Sequence, residues 1–160
     1  MVQVMASGVF DLLHLGHLHY LQEARKLGDE LAVVVATDAT VRKRKHEPVT
    51  PQAMRLEMVA SLKVVDRAVL GREGDMFAVV EELKPDIIAL GYDQELDEAW
   101  INAECAKRGL KIKVVRLSKM DSDIDATRKI IYKVIEWYAV QQFLKQKEGA
   151  GEEGGKGELK

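Results

Sequence analysis

The chain has one cysteine, Cys105, in 160 residues. A lone thiol builds no intrachain disulfide framework and no Cys-rich zinc module. Aromatic residues are scarce, at 6%, and none interrupts the basic run at 42 to 45. The stacking platform that sequence-tolerant RNA binders use is therefore missing. An excess of one charge is missing as well. The 24 Lys and Arg against 26 Asp and Glu leave a net charge of −2, which weighs against a general nucleic-acid binder. No apolar run approaches the ~18 residues of a membrane span. Met1 to Val9 holds no basic residue, so no signal peptide is expected and the expected location is the cytoplasm. Neither Gly-x-x-x-x-Gly-Lys-Ser/Thr nor, after the first strand, Gly-x-Gly-x-x-Gly occurs, which counts against a P-loop and against the dinucleotide fingerprint.

What is present is an ordinary globular composition, 47% apolar and 31% charged, in a length that suits one domain at roughly 150 residues each. Val2 to Ser7 reads as a buried strand, and a helical pattern follows from His17 to Leu27, with Gly28 as its C′ stop. Leu31 to Ala36 is apolar throughout and suits a strand covered on both faces. A polar, basic loop is expected over Asp38 to Val49. Thr50-Pro51 then opens a helix as Ncap and N1, with Met54, Met58 and Leu62 on one stripe. Arg67 to Leu70, Asp86 to Leu90 and Lys113 to Leu117 read as strands. Met76 to Leu83, Leu96 to Arg108 and Ala126 to Lys147 read as helices, the last with Ile131, Val134, Ile135 and Tyr138 on its apolar face. The alternation of strand and helix predicts an α/β domain over residues 1–147, a single Rossmann-like, doubly wound parallel sheet. Residues 148–160 hold five Gly, four Glu and two Lys and are expected to be a disordered tail.

Ligands of such sheets bind beyond the carboxyl ends of the strands, so the loops after the strands matter most. The first contains His14-Leu15-Gly16-His17. Two imidazoles three residues apart at a strand-to-helix turn, with a bare Gly16 and the N–H groups of a helix start, suit a phosphate. An incidental pair, one packed and one exposed, is the plain alternative. Zinc is a further one, but Asp11 is the only nearby carboxylate to join the pair. Asp11 itself either caps the turn or meets a cation or a histidine. Arg42-Lys43-Arg44-Lys45 is either a solvated surface or a lid over a polyphosphate. Tyr92 and Asp93, in Gly91-Tyr92-Asp93-Gln94, either form a simple turn or offer a ring and an acceptor to a nucleoside. Thr127 and Arg128 start the last helix, where a cap and a phosphate contact are both open readings. Cys105 lies mid-helix without a nearby His, which argues against a thiol nucleophile.

The run Gly8-Val9-Phe10-Asp11-Leu12-Leu13-His14-Leu15-Gly16-His17 resembles the signature of the cytidylyltransferase-like nucleotidyltransferases, which join a nucleoside triphosphate to a phosphate or similar nucleophile and release pyrophosphate. The resemblance spans about residues 2 to 135 and includes Thr37-Asp38, the basic loop, Arg55, Gly91-Tyr92-Asp93 and the Thr127 helix start. Arg-Leu-Glu-Met-Val at 55 to 59, Pro85 to Gly91 and the 91 to 94 tetrad are most similar to the archaeal-type FAD synthetases within it. The chain departs from the family at Val9, where Thr is usual, and at Ala126, in a segment usually rich in Ser and Thr.

The resemblance implies an FMN adenylyltransferase using ATP and FMN, with a divalent cation, Mg²⁺ being the expected one, and no metal held by protein residues alone. His14 and His17 would be catalytic. Val9, Phe10, Leu15, Gly16, Arg44, Lys45, Asp93, Thr127 and Arg128 would join them in binding ATP, and Asp11, Arg55 and Tyr92 would bind FMN. A homodimer is expected, with no nucleic acid and no membrane as partner. The alternatives are a glycerol-3-phosphate cytidylyltransferase-like enzyme using CTP, a non-catalytic nucleotide-binding module on the same fold, and, more remotely, an RNA-binding module using the basic loop.

Overall fold

The computed structural model describes residues 1–44, 46–119 and 126–153, with side chains as far as residue 147. Five strands form one all-parallel sheet: β1 (Gln3–Gly8), β2 (Glu30–Val35), β3 (Arg67–Leu70), β4 (Ile87–Leu90) and β5 (Lys113–Arg116). Their spatial order is β3-β2-β1-β4-β5. The helices are α1 (Leu15–Arg25), α2 (Asp38–Arg44), α3 (Gln52–Ala60), α4 (Ala78–Leu83), α5 (Glu98–Lys107) and α6 (Thr127–Glu153). The chain divides into two compact units, Met1–Asp125 and Ala126–Lys160.

The doubly wound sheet is the expected one, and its strands sort their side chains by parity. Val4, Ala6, Leu31, Val33 and Val35 join Leu21 and Ala24 of α1 and Val59 of α3 in one buried layer. Met5, Ala32, Val34, Ile88 and Leu90 join Val79, Val80 and Leu83 of α4 and Ile101 and Cys105 of α5 in the other. Alternation along a strand sends neighbours to opposite faces, so the Leu-Ala-Val-Val-Val run of β2 feeds both layers at once. The chain runs outward from β1 through β2 to β3, then returns to β4 on the other side of β1. The switch point therefore lies between β1 and β4, where their carboxyl ends part.

Several local readings change. Asp38–Arg44 is a helix, not part of a loop. Thr37 starts it, with Oγ1 accepting from Thr40 N at 3.2 Å. Asp38 in the first turn and Arg42, Lys43 and Arg44 in the last suit the helix dipole, and Val41 is buried beneath them. At α3 the Ncap is Pro51, not Thr50, because the Thr50 hydroxyl is taken by Asp11 at 2.6 Å. The helix is also turned from the expected face: Met54 and Met58 are exposed, while Arg55 and Val59 point inward. In the second unit, the backbone of α6 continues to Glu153, past the expected end at Lys147. The disordered-tail expectation for 154–160 falls outside the described residues. Val134, Ile135 and Tyr138, expected on a buried face, are all more than half exposed.

Gly28 follows α1 but is not in the left-handed region expected of a C′ glycine, and the cap Lys26 is helical at φ −69°. Glycine is needed there for room. A Cβ at Gly28 would lie 2.6 Å from Val2 O and 2.7 Å from Val4 Cγ2, against the start of β1. Overpacking of this kind costs about 1–3 kcal/mol. Gly28→Ala should accordingly lower the melting temperature by about 2–12 °C, at ~2–4 °C per kcal/mol for a chain this size. An unchanged melting curve would show that β1 yields freely at this contact.

Candidate active site

The loop from β1 to α1 makes two unusual turns. Phe10 and Leu12, neither of them glycine, have φ of +55° and +52°. L-residues enter this region at about 1–2 kcal/mol each. The turn at Phe10 folds its ring back over the end of β1. A Cβ on Gly8 would meet that ring at 2.9 Å, so Gly8 clears the space the ring fills. The ring then packs near His17, with centroids 5.4 Å apart, and stacks with Tyr20 at 6.4 Å.

Two buried charged groups hold the loop in this shape. Arg55 is 1% exposed. Its Nη1 donates to Val9 O at 2.7 Å and Ala36 O at 2.8 Å, its Nε to Thr50 O at 3.0 Å, and its Nη2 to Asp38 Oδ1 at 2.6 Å. Asp11 accepts from Val49 N at 2.7 Å, Thr50 N at 3.0 Å and the Thr50 hydroxyl. Three separate segments, after β1, after β2 and before α3, are thereby sewn together. Both residues are engaged by protein groups here, and Asp11 ties the turn to residues 49 and 50. Burial opposes ionisation of Asp11. The Thr50 hydroxyl, the two backbone donors and the Arg55 charge outweigh it and hold the carboxyl below its ordinary value. Asp38 behaves alike: burial is outweighed by the Arg55 hydrogen bond, a backbone bond from Gln52 and the nearby arginine charges.

Beyond this turn, His14 is the Ncap of α1, with extended backbone at φ −140° and ψ 175°. Its Nδ1 accepts from Gly16 N at 3.1 Å and His17 N at 3.4 Å. An accepting Nδ1 bears the lone pair, so the proton of the neutral ring is on Nε2. Two N–H groups that the sequence offers to an anion are thus occupied by His14 itself. An anion at the tip would be met by imidazole N–H as well as by what remains of the helix start. The His14 and His17 rings are stacked, 3.7 Å between centroids with 22° between planes. Leu15 is exposed and Gly16 half-buried beside them.

The loop after β4 lies on the other side of the switch point. Gln94 joins the two strand ends: its Nε2 donates to Ser7 O at 2.6 Å and its Oε1 accepts from Gly91 N at 3.0 Å. Tyr20 makes a second bridge, donating to Ala89 O at 2.8 Å and accepting from Ser7 N at 3.2 Å. Burial holds its phenol protonated well above the ordinary range, as a bridging donor requires. The sequence reading assigned a role to neither residue. Tyr20 falls one helical turn after His17 and Gln94 ends the 91–94 tetrad, which is the signal that was available. Tyr92 and Asp93 are exposed at this loop, and Lys119 Nζ lies 5.6 Å above the Tyr92 ring, adding a cation that sequence reasoning passed over.

Of the basic run, Arg42 forms a bidentate pair with Glu47, both Nε and Nη2 reaching the carboxylate at 2.7 Å. Arg44 is exposed at the end of α2, and Lys45 lies outside the described residues. Thr127 and Arg128 stand in the first turn of α6, in the second unit. Among the described residues, no three His, Cys, Asp or Glu cluster so as to hold a metal ion.

Two imidazoles at a helix start beside a parallel-sheet switch point suit nucleotidyl transfer rather than a P-loop or dinucleotide site. The cytidylyltransferase-like family model matches residues 5–150, and the chain belongs to that family. It is 61% identical over 137 residues to the FAD synthase of Aciduliprofundum boonei, covering 85% of this chain and 92% of that one. It is 52% identical over 136 residues to the FAD synthase of Thermoplasma volcanium, covering 85% and 96%. A solved structure described as the lipopolysaccharide core biosynthesis protein of Thermoplasma volcanium superposes with a TM-score of 0.75 at 57% identity, over 76% of this chain and 99% of that one.

The acid limb of stability follows from the two lowered carboxyls. Both titrate below 3.8 in the folded chain. Their stabilisation is complete above that value and is lost as pH falls through the folded-state value. Asp38→Asn should lower the melting temperature at pH 7 and narrow the gap between melting at pH 7 and pH 3. An unchanged gap would show that the Arg55 pair contributes nothing to acid sensitivity.

Proposed function

We propose that this chain transfers AMP from ATP to the phosphate of FMN, giving FAD and pyrophosphate. The observation that carries the reading is the stacked His14–His17 pair at the switch point, in a chain matching FAD synthases over more than nine-tenths of their length. A phosphate oxygen of FMN attacks the α-phosphorus of ATP. One P–O bond forms there and the bond to the β-phosphate bridging oxygen breaks, with the electron pair leaving on pyrophosphate. A phosphate monoester with its second pKa near ~6 is largely dianionic at neutral pH. No general base is required, and charge balances without a proton transfer.

The protein's work is then placement and charge stabilisation. His14, with its proton on Nε2, donates to an α- or β-phosphate oxygen, and His17 donates beside it. The backbone of Val9 and Phe10 and the bare Gly16 border the nucleotide. Asp93 accepts from the nucleoside, and Tyr92 lies against the flavin. Arg44 and Lys45 hold the β- and γ-phosphates, while Thr127 and Arg128 enter this reading on the family resemblance alone. Asp11 gives its oxygens to Val49 and Thr50, so a Mg²⁺ ion would be held chiefly by the phosphates, with few protein ligands; it would supply charge neutralisation on the triphosphate. A homodimer belongs to the same reading, and the exposed Trp137, Tyr138 and Phe143 of α6 give it apolar surface to bury. A cytoplasmic location fits these substrates, and among the described residues no helix is long and apolar enough to cross a membrane.

The direct assay incubates the chain with Mg²⁺, ATP or CTP, and FMN or glycerol 3-phosphate, and identifies products by mass. FAD from ATP and FMN is expected. CDP-glycerol from CTP without FAD would promote the cytidylyl reading, and no product from any pair would leave a binding module. The histidine role divides further. His14→Asn supplies an oxygen that serves well as an Ncap but removes the imidazole donor. It should melt within about 2 °C of wild type and lose ~10²- to 10³-fold in turnover. His14→Ala should lose turnover alike and also about 1 kcal/mol of stability. Near-native turnover in His14→Asn would reduce His14 to a cap.

A further inference from the structure

Between β4 and α5 the chain has no helix or strand of its own, yet there it carries Tyr92 and Asp93 beside the switch point. Its shape is imposed from β5. Arg116, the last residue of that strand, donates from Nη1 to Gly91 O and Gln94 O, both at 3.0 Å. Its Nη2 donates to Leu96 O at 2.6 Å and its Nε to Glu98 Oε1 at 2.9 Å. One planar fork thus fixes four points across the segment 91–98. A lysine ammonium, a single nitrogen on a flexible stem, does not reproduce that spread. Gln94 pins the same segment to Ser7 on β1. The Arg116 side chain is about a third exposed, at 32%, so water can take over the released carbonyls if it is lost. Its removal therefore bears on the shape of the loop more than on folding.

We infer that Arg116 is a positioning residue for the nucleoside triphosphate: without touching it, Arg116 holds the 91–98 segment in the form that receives the nucleoside. The inference rests on the adenylyl-transfer reading, in which Asp93 meets that nucleoside. A loop already ordered spares the ligand the cost of ordering it. The histidine pair belongs to the turn into α1, a different segment from the one Arg116 clamps, so the transfer step itself is left intact once ATP is bound.

The test compares wild type, Arg116→Met and Arg116→Lys by amide hydrogen exchange over 91–98, by ATP binding calorimetry, and by steady-state FAD formation. In Arg116→Met, exchange in this segment should quicken roughly tenfold. The ATP Kd and KM should rise about tenfold, and kcat at saturation should stay within about threefold. Arg116→Lys should fall between the two, and melting should shift by only a few degrees. Unchanged exchange, or quickened exchange with unchanged ATP affinity, overturns the inference. So does a kcat loss at constant KM. If wild type forms no FAD, the functional reading falls by itself, and exchange together with the ATP Kd still decides the role of Arg116.

Discussion

A buried guanidinium with nowhere else to go organises the ligand edge of this molecule. Arg55 is almost fully buried, and an unpaired charge in the interior costs several kcal/mol. The fold answers by turning three main-chain carbonyls and one carboxylate onto it. Those acceptors come from segments far apart in sequence, at 9, 36, 38 and 50. Asp11 repeats the arrangement with opposite sign, collecting donors from 49 and 50. Loops that would otherwise be set only by their own weak preferences become parts of one cross-linked unit.

That unit explains how the chain sustains two left-handed residues in the turn before the histidines. Phe10 and Leu12 are locally unfavourable, and such conformations persist only where the surroundings over-determine them. Here Val9 is tied by its carbonyl, Asp11 by its carboxylate, and Phe10 by burial of its ring against Tyr20 and His17. The His14 side chain then caps the helix it begins. Strain, buried ions and a self-capping imidazole all serve one end: the two rings are in place before any ligand arrives. On the proposed adenylyl-transfer reading, donors preorganised in this way need no rearrangement as charge develops.

The layers and the switch point were legible in the sequence because they rest on periodicity and on strand–helix alternation, which survive any local detail. The apolar run in β2 could only be buried on both sides, and the histidine motif had to stand where a strand fed a helix. What was not legible depended on tertiary partners. Met54 and Met58 read as core, and Arg55 enters only through the family resemblance, as a ligand contact, until acceptors from three segments reverse the helix face. The basic run reads as a loop because four like charges repel, although Thr37, Asp38 and the helix dipole support a helix through the first three of them. Gly28 looks like a stop signal and is instead a clearance for β1. Arg116 closes a short strand that reads as structural, and the carbonyls it gathers belong to a segment twenty or more residues earlier.

Gly8 and Phe10 carry a lesson about how this site can change over evolutionary time. The ring occupies the very volume that a side chain at position 8 would fill, and the left-handed turn at Phe10 exists to put it there. Any side chain at position 8 collides while the ring remains, and a small residue at position 10 leaves bare space over the strand end and beside His17. Neither position has a neutral single step. The two are bound into one unit of inheritance, and sequence drift around the histidines must pass through paired exchanges or leave both residues alone.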